Sequence, residues 1–223
     1  MSIDSLSGLG TAHGLASLRP TIAGTNHVVS AGHYLAAQSA LQILESGGNA
    51  IDAGVAAGLV LGVVQSELVN VAGVAPIILY LAERDEVITI SGLGCWPRAL
   101  DPDIFMREHG GAIPEGVLRT VVPAAPDAWI TALARYGTMS FSEVAQSAIG
   151  FARDGFVMYP LMADLLHTYA EGYARWPSSA AIYLPGDVRP RSVMCSSSPI
   201  LAALCNTWPI ARRRRGAGAV SRA

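Results

Sequence analysis

Few residues of this chain could carry chemistry, and none has a partner at the spacing that its chemistry needs. His27 and His33 could move protons near neutral pH, but no carboxylate or nucleophile is spaced with them, and they read as structural. Thr168 follows an imidazole in Leu166-His167-Thr168-Tyr169, yet that run reads as part of a helix. The cysteines, Cys95, Cys195 and Cys205, are odd in number and lack metal-site spacing, so no disulfide framework follows. Gly92-Leu93-Gly94 is a lone G-x-G: a dinucleotide fingerprint needs a third glycine, a following helix and an acidic residue about 20 positions on, and Trp96-Pro97 intervenes instead. No catalytic residue, metal site or cofactor is expected from these residues. What stands out is Gly47-Gly48-Asn49-Ala50-Ile51-Asp52, which physical chemistry reads as a helix stop followed by a helix start. The glycines permit the turn, Asn49 caps the next helix, and Asp52 meets its free N–H groups and the positive end of its dipole.

The elements around that turn follow from periodicity. Leu35 to Ser46 places Leu35, Leu41, Ile43 and Leu44 in an amphipathic helical pattern, and Ala50 to Val64 is apolar nearly all round, as a helix sandwiched between layers is. His27 to Ser30 reads as a short strand. Pro76 to Ala82 and Glu86 to Ile90 are β-rich runs around Glu83-Arg84-Asp85, predicting an antiparallel hairpin. Helices are expected over Pro102 to His109, Ala125 to Tyr136, Ser140 to Asp154 and Leu161 to Trp176, the third opening with the capping box Ser140-Phe141-Ser142-Glu143. Trp129, Tyr136, Phe141, Phe151, Phe156 and Tyr169 are read as falling on helices, where core packing explains aromatic residues. No repeat of solenoid period is present.

Composition narrows the function further. Hydrophobic residues make up 51% of the 223 and charged residues 14%, against a usual charged share of about 25%. Some apolar surface therefore expects a partner. A net charge of −2 creates no global field for nucleic acid or acidic membrane, and the basic run Arg212 to Arg215 reads as a tail feature. The longest apolar stretch, Ala53 to Val64, falls short of the roughly 18–20 residues of a membrane span. The first twenty residues lack the pattern of a signal peptide, so a cytoplasmic location is expected.

Two blocks carry a family resemblance. Leu44-Glu45-Ser46-Gly47-Gly48-Asn49-Ala50-Ile51-Asp52-Ala53 resembles the L-x-x-G-G-N-A-x-D-A element of gamma-glutamyltranspeptidases. Tyr136-Gly137-Thr138-Met139 through Ala152-Arg153-Asp154-Gly155-Phe156 resembles their Y-G-x-M and A-x-D-G-F elements, in the same order. The resemblance implies an α+β fold, part of the αββα four-layer sandwich of N-terminal-nucleophile hydrolases. It also implies a precursor that cuts itself to expose a threonine, at once nucleophile and base, at the start of a C-terminal small subunit. Such enzymes hydrolyse or transfer γ-glutamyl amides such as glutathione through an acyl-enzyme.

Departures from the family pattern bear on function. The nucleophilic threonine lies beyond residue 223 in the family, so the chain alone is expected to be inactive and to need the small subunit as its partner. The family's glycine-rich loop before the hairpin is replaced by Asn70-Val71-Ala72-Gly73-Val74-Ala75-Pro76-Ile77. Where an arginine in R-E-x-A-P grips the substrate α-carboxylate, this chain reads Leu93-Gly94-Cys95-Trp96-Pro97, and leucine cannot mimic a bidentate guanidinium. Arg98, one residue past that motif, is the candidate substrate-binding cation. The substrate is then a small amide, with a divergent amidohydrolase for an acid such as oxamate, or a non-catalytic remnant, as alternatives.

The chain divides into a loose lead-in over residues 1–25, the large-subunit region over 26–191 and a tail over 192–223. In the tail the resemblance fades as composition turns to serines, cysteines and four consecutive arginines. It reads as out of frame or disordered; one permitted shifted reading, from the last base of the Val193 codon, would form a short strand and an amphipathic helix and resembles a stretch that the family shows here.

Overall fold

A computed structural model describes residues 21–185 and the backbone of the pair Cys195–Ser196. Most of the lead-in and of the tail proposed above lie outside the described residues.

Helix α1 (Tyr34–Glu45) stops at Ser46, and Gly47 takes φ +90°, a left-handed conformation that a side chain would strain. Helix α2 (Ala50–Val64) starts at once behind Asn49, whose side chain accepts from the N–H groups of Ile51 and Asp52. This stop and start folds α2 back against α1, and α2 becomes the central helix, packed also on α4 (Ala125–Tyr136) and α5 (Phe141–Asp154). Its apolar circumference is thereby explained, since Val55, Ala56, Leu59, Val60, Val63 and Val64 are all buried. Small residues set the spacing: Ala36, Ala132, Ala145, Ala148 and Ala152 are buried on the neighbouring helices, and a Cβ on Gly58 would lie 3.0 Å from the indole nitrogen of Trp129.

Strands β1 (Ile77–Leu81) and β2 (Glu86–Ile90) pair antiparallel, with Ile77 opposite Ile90 and Leu79 opposite Ile88. The turn is closed by the Tyr80 hydroxyl donating to Asp85 at 2.9 Å, with Asp85 at φ 48°. Ile77 and Ile90 pack on the helical core, whereas Ile78, Tyr80 and Val87 on the opposite face are 74%, 61% and 61% exposed. Beyond the hairpin come α3 (Ile104–His109), a 3₁₀ turn at Val117–Arg119, α4 and α5. The expected capping box closes α5: the Glu143 carboxylate accepts from the Ser140 hydroxyl and N–H, which hold its pKa below the ordinary carboxylate value. A short strand β3 (Phe156–Val157) pairs antiparallel with β4 (Cys195–Ser196).

The fold differs from the sequence expectation in several places. Residues 27–30 run without a strand partner and are not a strand. The helix expected from Leu161 to Trp176 is divided into α6 (Pro160–Thr168) and α7 (Ala170–Ala174), with α8 (Pro177–Tyr183) following. The chain leaves the helix at Tyr169, φ −103° and ψ 20°, and Pro177 separates α7 from α8 by holding Trp176 in the extended region, φ −116° and ψ 110°. Phe156 is buried as expected but lies on β3 rather than a helix, and Tyr169, between α6 and α7, is 60% exposed.

Among the described residues no helix is long and apolar enough to cross a membrane. Nor does any group of three or more His, Cys, Asp and Glu stand together there as a metal site.

Candidate functional site

The two sequence blocks that carry the resemblance meet at Asp52. Its side chain, fully buried, sits in the first turn of α2 and accepts from the Asn49 N–H at 2.9 Å, closing a reciprocal capping box. It then reaches across to the α4–α5 connection. The Thr138 hydroxyl donates to Oδ2 at 2.5 Å, the Thr138 N–H to Oδ1 at 3.0 Å, and the Met139 N–H to Oδ1 at 3.2 Å. Asn49 adds a bond from Nδ2 to the Tyr136 carbonyl at 2.7 Å. Each lone pair of the buried carboxylate is thus met by a donor, the condition under which an anion is tolerated away from water.

Glycines make room for this junction. A Cβ on Gly137 would lie 2.6 Å from the Asp52 Oδ1, and one on Gly48 would lie 2.7 Å from Ile43 and 3.0 Å from the Met139 sulfur. Gly47, Gly48, Asn49 and Asp52 therefore form a structural junction. The sequence pointed to it, but not to Thr138 and Met139 as its other half; the Gly-Thr-Met run following a predicted helix was the only local signal.

A second assembly forms around the hairpin exit. The Ala75 N–H donates to the Gly92 carbonyl at 2.8 Å, and the Val122 N–H to the Cys95 carbonyl at 2.9 Å. The N-terminus of α4, which has no capping side chain, is served by a backbone carbonyl instead: Ala124 and Ala125 both donate to Gly73 at 3.1 Å. Gly92 and Gly94 take φ +53° and +70°, and a Cβ on either would lie 2.1 Å from the Ala75 oxygen or 2.4 Å from the Val122 oxygen. The segments 73–75, 92–95 and 121–125 thereby hold one another, although the first of them lacks the family's run of glycines.

This assembly presents an apolar surface. Leu93 is 55% and Val122 49% exposed, Cys95 is an exposed free thiol, and Trp96 lies on Phe105 with ring centroids 5.4 Å apart. Arg98 is exposed in the turn closed by Leu100 N–H to the Pro97 carbonyl, and it forms no ion pair among the described residues. His33, the other histidine weighed above, is far from idle: it caps α1.

Between the hairpin and the helices lies a groove of about 470 Å³, lined among others by Ile51, Gly54, Val55, Ile77, Leu79 and Trp129. It runs beside β1, which has a strand partner on one side only among the described residues.

Helices layered under a small antiparallel sheet, with one sheet face apolar and exposed and one strand edge unpaired among the described residues, define an α+β fragment of a layered sandwich, the architecture of N-terminal-nucleophile hydrolases. The family model for gamma-glutamyltranspeptidase matches residues 36–208, and the chain belongs to that family. It is 34% identical over 175 residues to an acylase ACY 1 proenzyme of Pseudomonas sp., covering 73% of this chain and 31% of that protein. It is 31% identical to the glutathione hydrolase proenzyme of Escherichia coli, covering 66% of this chain and 26% of that one. The crystal structure of Helicobacter pylori gamma-glutamyltranspeptidase superposes with a TM-score of 0.79 at 26% identity, over 84% of this chain and 55% of that chain. The chain thus spans under a third of the length of these proenzyme relatives.

Proposed function

We propose that this chain is the large-subunit region of a self-processing amide hydrolase or transferase, completed by a C-terminal small subunit that carries the nucleophilic threonine. The groove along β1, continuous with the exposed Ile78, Tyr80 and Val87 face, supports this reading most directly. An apolar slot beside an unpaired strand edge accepts further strands, which satisfy the edge's N–H and C=O groups and cover its side chains. In that reading the small subunit's threonine hydroxyl adds to the substrate carbonyl and its own α-amine takes the proton. The leaving amine departs with that proton, and water or a second amine then attacks the ester. This chain holds the small subunit's strands and offers the 92–98 segment as a wall of the substrate pocket.

The substrate is proposed to be a small amide whose acyl part is less anionic at that wall than a γ-glutamyl group. Leu93 occupies the place of the family's carboxylate-binding arginine, Trp96 and Val122, whose N–H donates to the Cys95 carbonyl, continue the same apolar surface, and Arg98 is left as the cation for any remaining acid group. An acyl group like those that acylases release suits this surface better than an amino-acid head.

Co-producing the chain with a relative's small subunit tests the proposal. The chain alone is expected to be inactive, and the pair to hydrolyse amides. Leu93→Arg in that pair is expected to lower KM for γ-glutamyl-p-nitroanilide by about tenfold or more, the worth of a charge-assisted bond, and Arg98→Ala to raise KM for acidic substrates. If the unchanged pair cleaved the anilide as well as arginine-bearing relatives do, the substrate reading would be wrong. Activity of the chain by itself would remove the need for a partner.

A further inference from the structure

His33 takes part in none of this chemistry, yet it is among the most buried polar residues of the fold, 5% exposed. It is the N-cap of α1, its Nδ1 accepting the Leu35 N–H at 3.2 Å. A ring nitrogen that accepts carries no proton, so the neutral imidazole keeps its proton on Nε2. That Nε2 is buried and has no hydrogen-bond partner among the described residues. Tyr34 stacks on the ring at 4.6 Å, and Tyr159, the residue preceding α6, lies tilted against it at 5.1 Å.

The groups beyond the ring are also ionisable or polar. Tyr159 donates its hydroxyl to Glu67 Oε1, and the other Glu67 oxygen is buried without a partner. Gln65 also bonds the Tyr159 hydroxyl, whose pKa is pushed up to about 12, by burial first and then by Glu67. Tyr173 on α7 feels the same carboxylate. Among the described residues the faces against His33 are thus phenolic, and Glu67, the carboxylate of the cluster, is held by Tyr159 through one oxygen.

We infer that His33 is an acid-sensitive cap, whose protonation releases the N-terminus of α1 and the seam it forms with the Tyr159 turn. Three effects act in the same direction. A proton on Nδ1 turns the cap acceptor into a donor facing the Leu35 N–H. The new positive charge sits at the positive end of the α1 dipole. It also lies in a buried site where no carboxylate oxygen among the described residues stands within ion-pair distance of the ring, the unpartnered Glu67 oxygen included. Burial accordingly holds the His33 pKa below its ordinary 6.5. Because the folded pKa lies below the unfolded one, the unfolded chain takes up the proton first as the medium is acidified. The contribution to stability is whole above 6.5 and is lost as pH falls through the folded value. Within that window the folding equilibrium constant drops by up to about tenfold per pH unit for this one group.

Urea unfolding of the full chain between pH 8 and pH 5 tests the inference, comparing it with His33→Asn, which keeps an N-cap acceptor but does not titrate. Contributions of the other histidines cancel in the comparison. The unchanged chain is expected to lose stability on acidification by about tenfold more in its folding constant than the variant. Parallel profiles would overturn the idea. Should the asparagine chain fail to fold, side-chain NMR of the unchanged protein decides: a His33 titration below the ordinary value agrees, and one at or above it refutes.

Discussion

Asp52→Ala is expected to cost about 3–5 kcal/mol of folding stability, the range for deleting one member of a buried, hydrogen-bonded charge network. Domains of this size are stable by only about 5–15 kcal/mol in total, so the variant chain should be largely unfolded under mild denaturant. The loss does not come from burial of the side chain itself. Removing the carboxylate strands the N–H groups of Asn49, Thr138 and Met139 and the Thr138 hydroxyl at once, and a methyl group offers them nothing.

Asp52→Asn should be nearly as severe, about 2–4 kcal/mol, because every partner is a donor and an amide presents one acceptor and one more donor. Thr138→Val removes only one hydroxyl donor and should cost about 1 kcal/mol. Urea denaturation followed by circular dichroism checks the series. If Asp52→Ala fell within about 1 kcal/mol of the unchanged chain, a typical single hydrogen bond, the carboxylate would not be the tie between α2 and the α4–α5 connection.

The other large effect is expected at Gly92, a residue of no chemical function. Its φ of +53° strains any side chain, and an alanine Cβ would lie 2.1 Å from the Ala75 carbonyl oxygen, which is backbone and cannot rotate away. Conformational strain and overpacking, about 1–3 kcal/mol each, act together here, so Gly92→Ala should lose about 2–5 kcal/mol. Gly47→Ala is the control. It has φ +90° but open space around the added Cβ, so strain acts alone and the cost should be nearer 1 kcal/mol.

The two glycines differ in consequence too. Moving Gly92 breaks the Ala75 N–H bond to its carbonyl and displaces Leu93 and the Cys95–Val122 pairing behind it. In a complex completed by a small subunit, amide hydrolysis is therefore expected to fall further with Gly92→Ala than the stability loss alone explains, and Gly47→Ala should leave kcat unchanged. Equal effects at the two positions would argue against the 92–98 segment as a substrate wall.

The expected junction residues behave as local physics dictates. Gly47, Asn49 and Asp52 act within one turn of chain, where the cap acceptor and its N–H donors are at most three residues apart. The capping box at Ser140 and Glu143 is legible for the same reason, and so is the hairpin, whose strands flank a short charged turn. The stop ahead of Pro177, where the expected helix ends at Trp176, is legible because a proline restricts the residue before it, whereas the break at Tyr169 has no proline or glycine beside it. Arg98 stands out only by its place one residue past a motif, which says nothing of where a guanidinium points.

By itself, then, the sequence determined the order and kind of the main elements, the family and the turn chemistry that launches α2, because short-range backbone geometry and hydrophobic period are written residue by residue. Only the tertiary structure decided that Asp52 meets Thr138 across a separation of 86 residues, that Gly73 caps α4, that Gly92 must be bare because Ala75 passes close by, and that His33 is buried with an idle nitrogen. Each of these is a contact between segments distant in the chain. A donor or a glycine carries no mark of the partner that requires it until packing brings the two together.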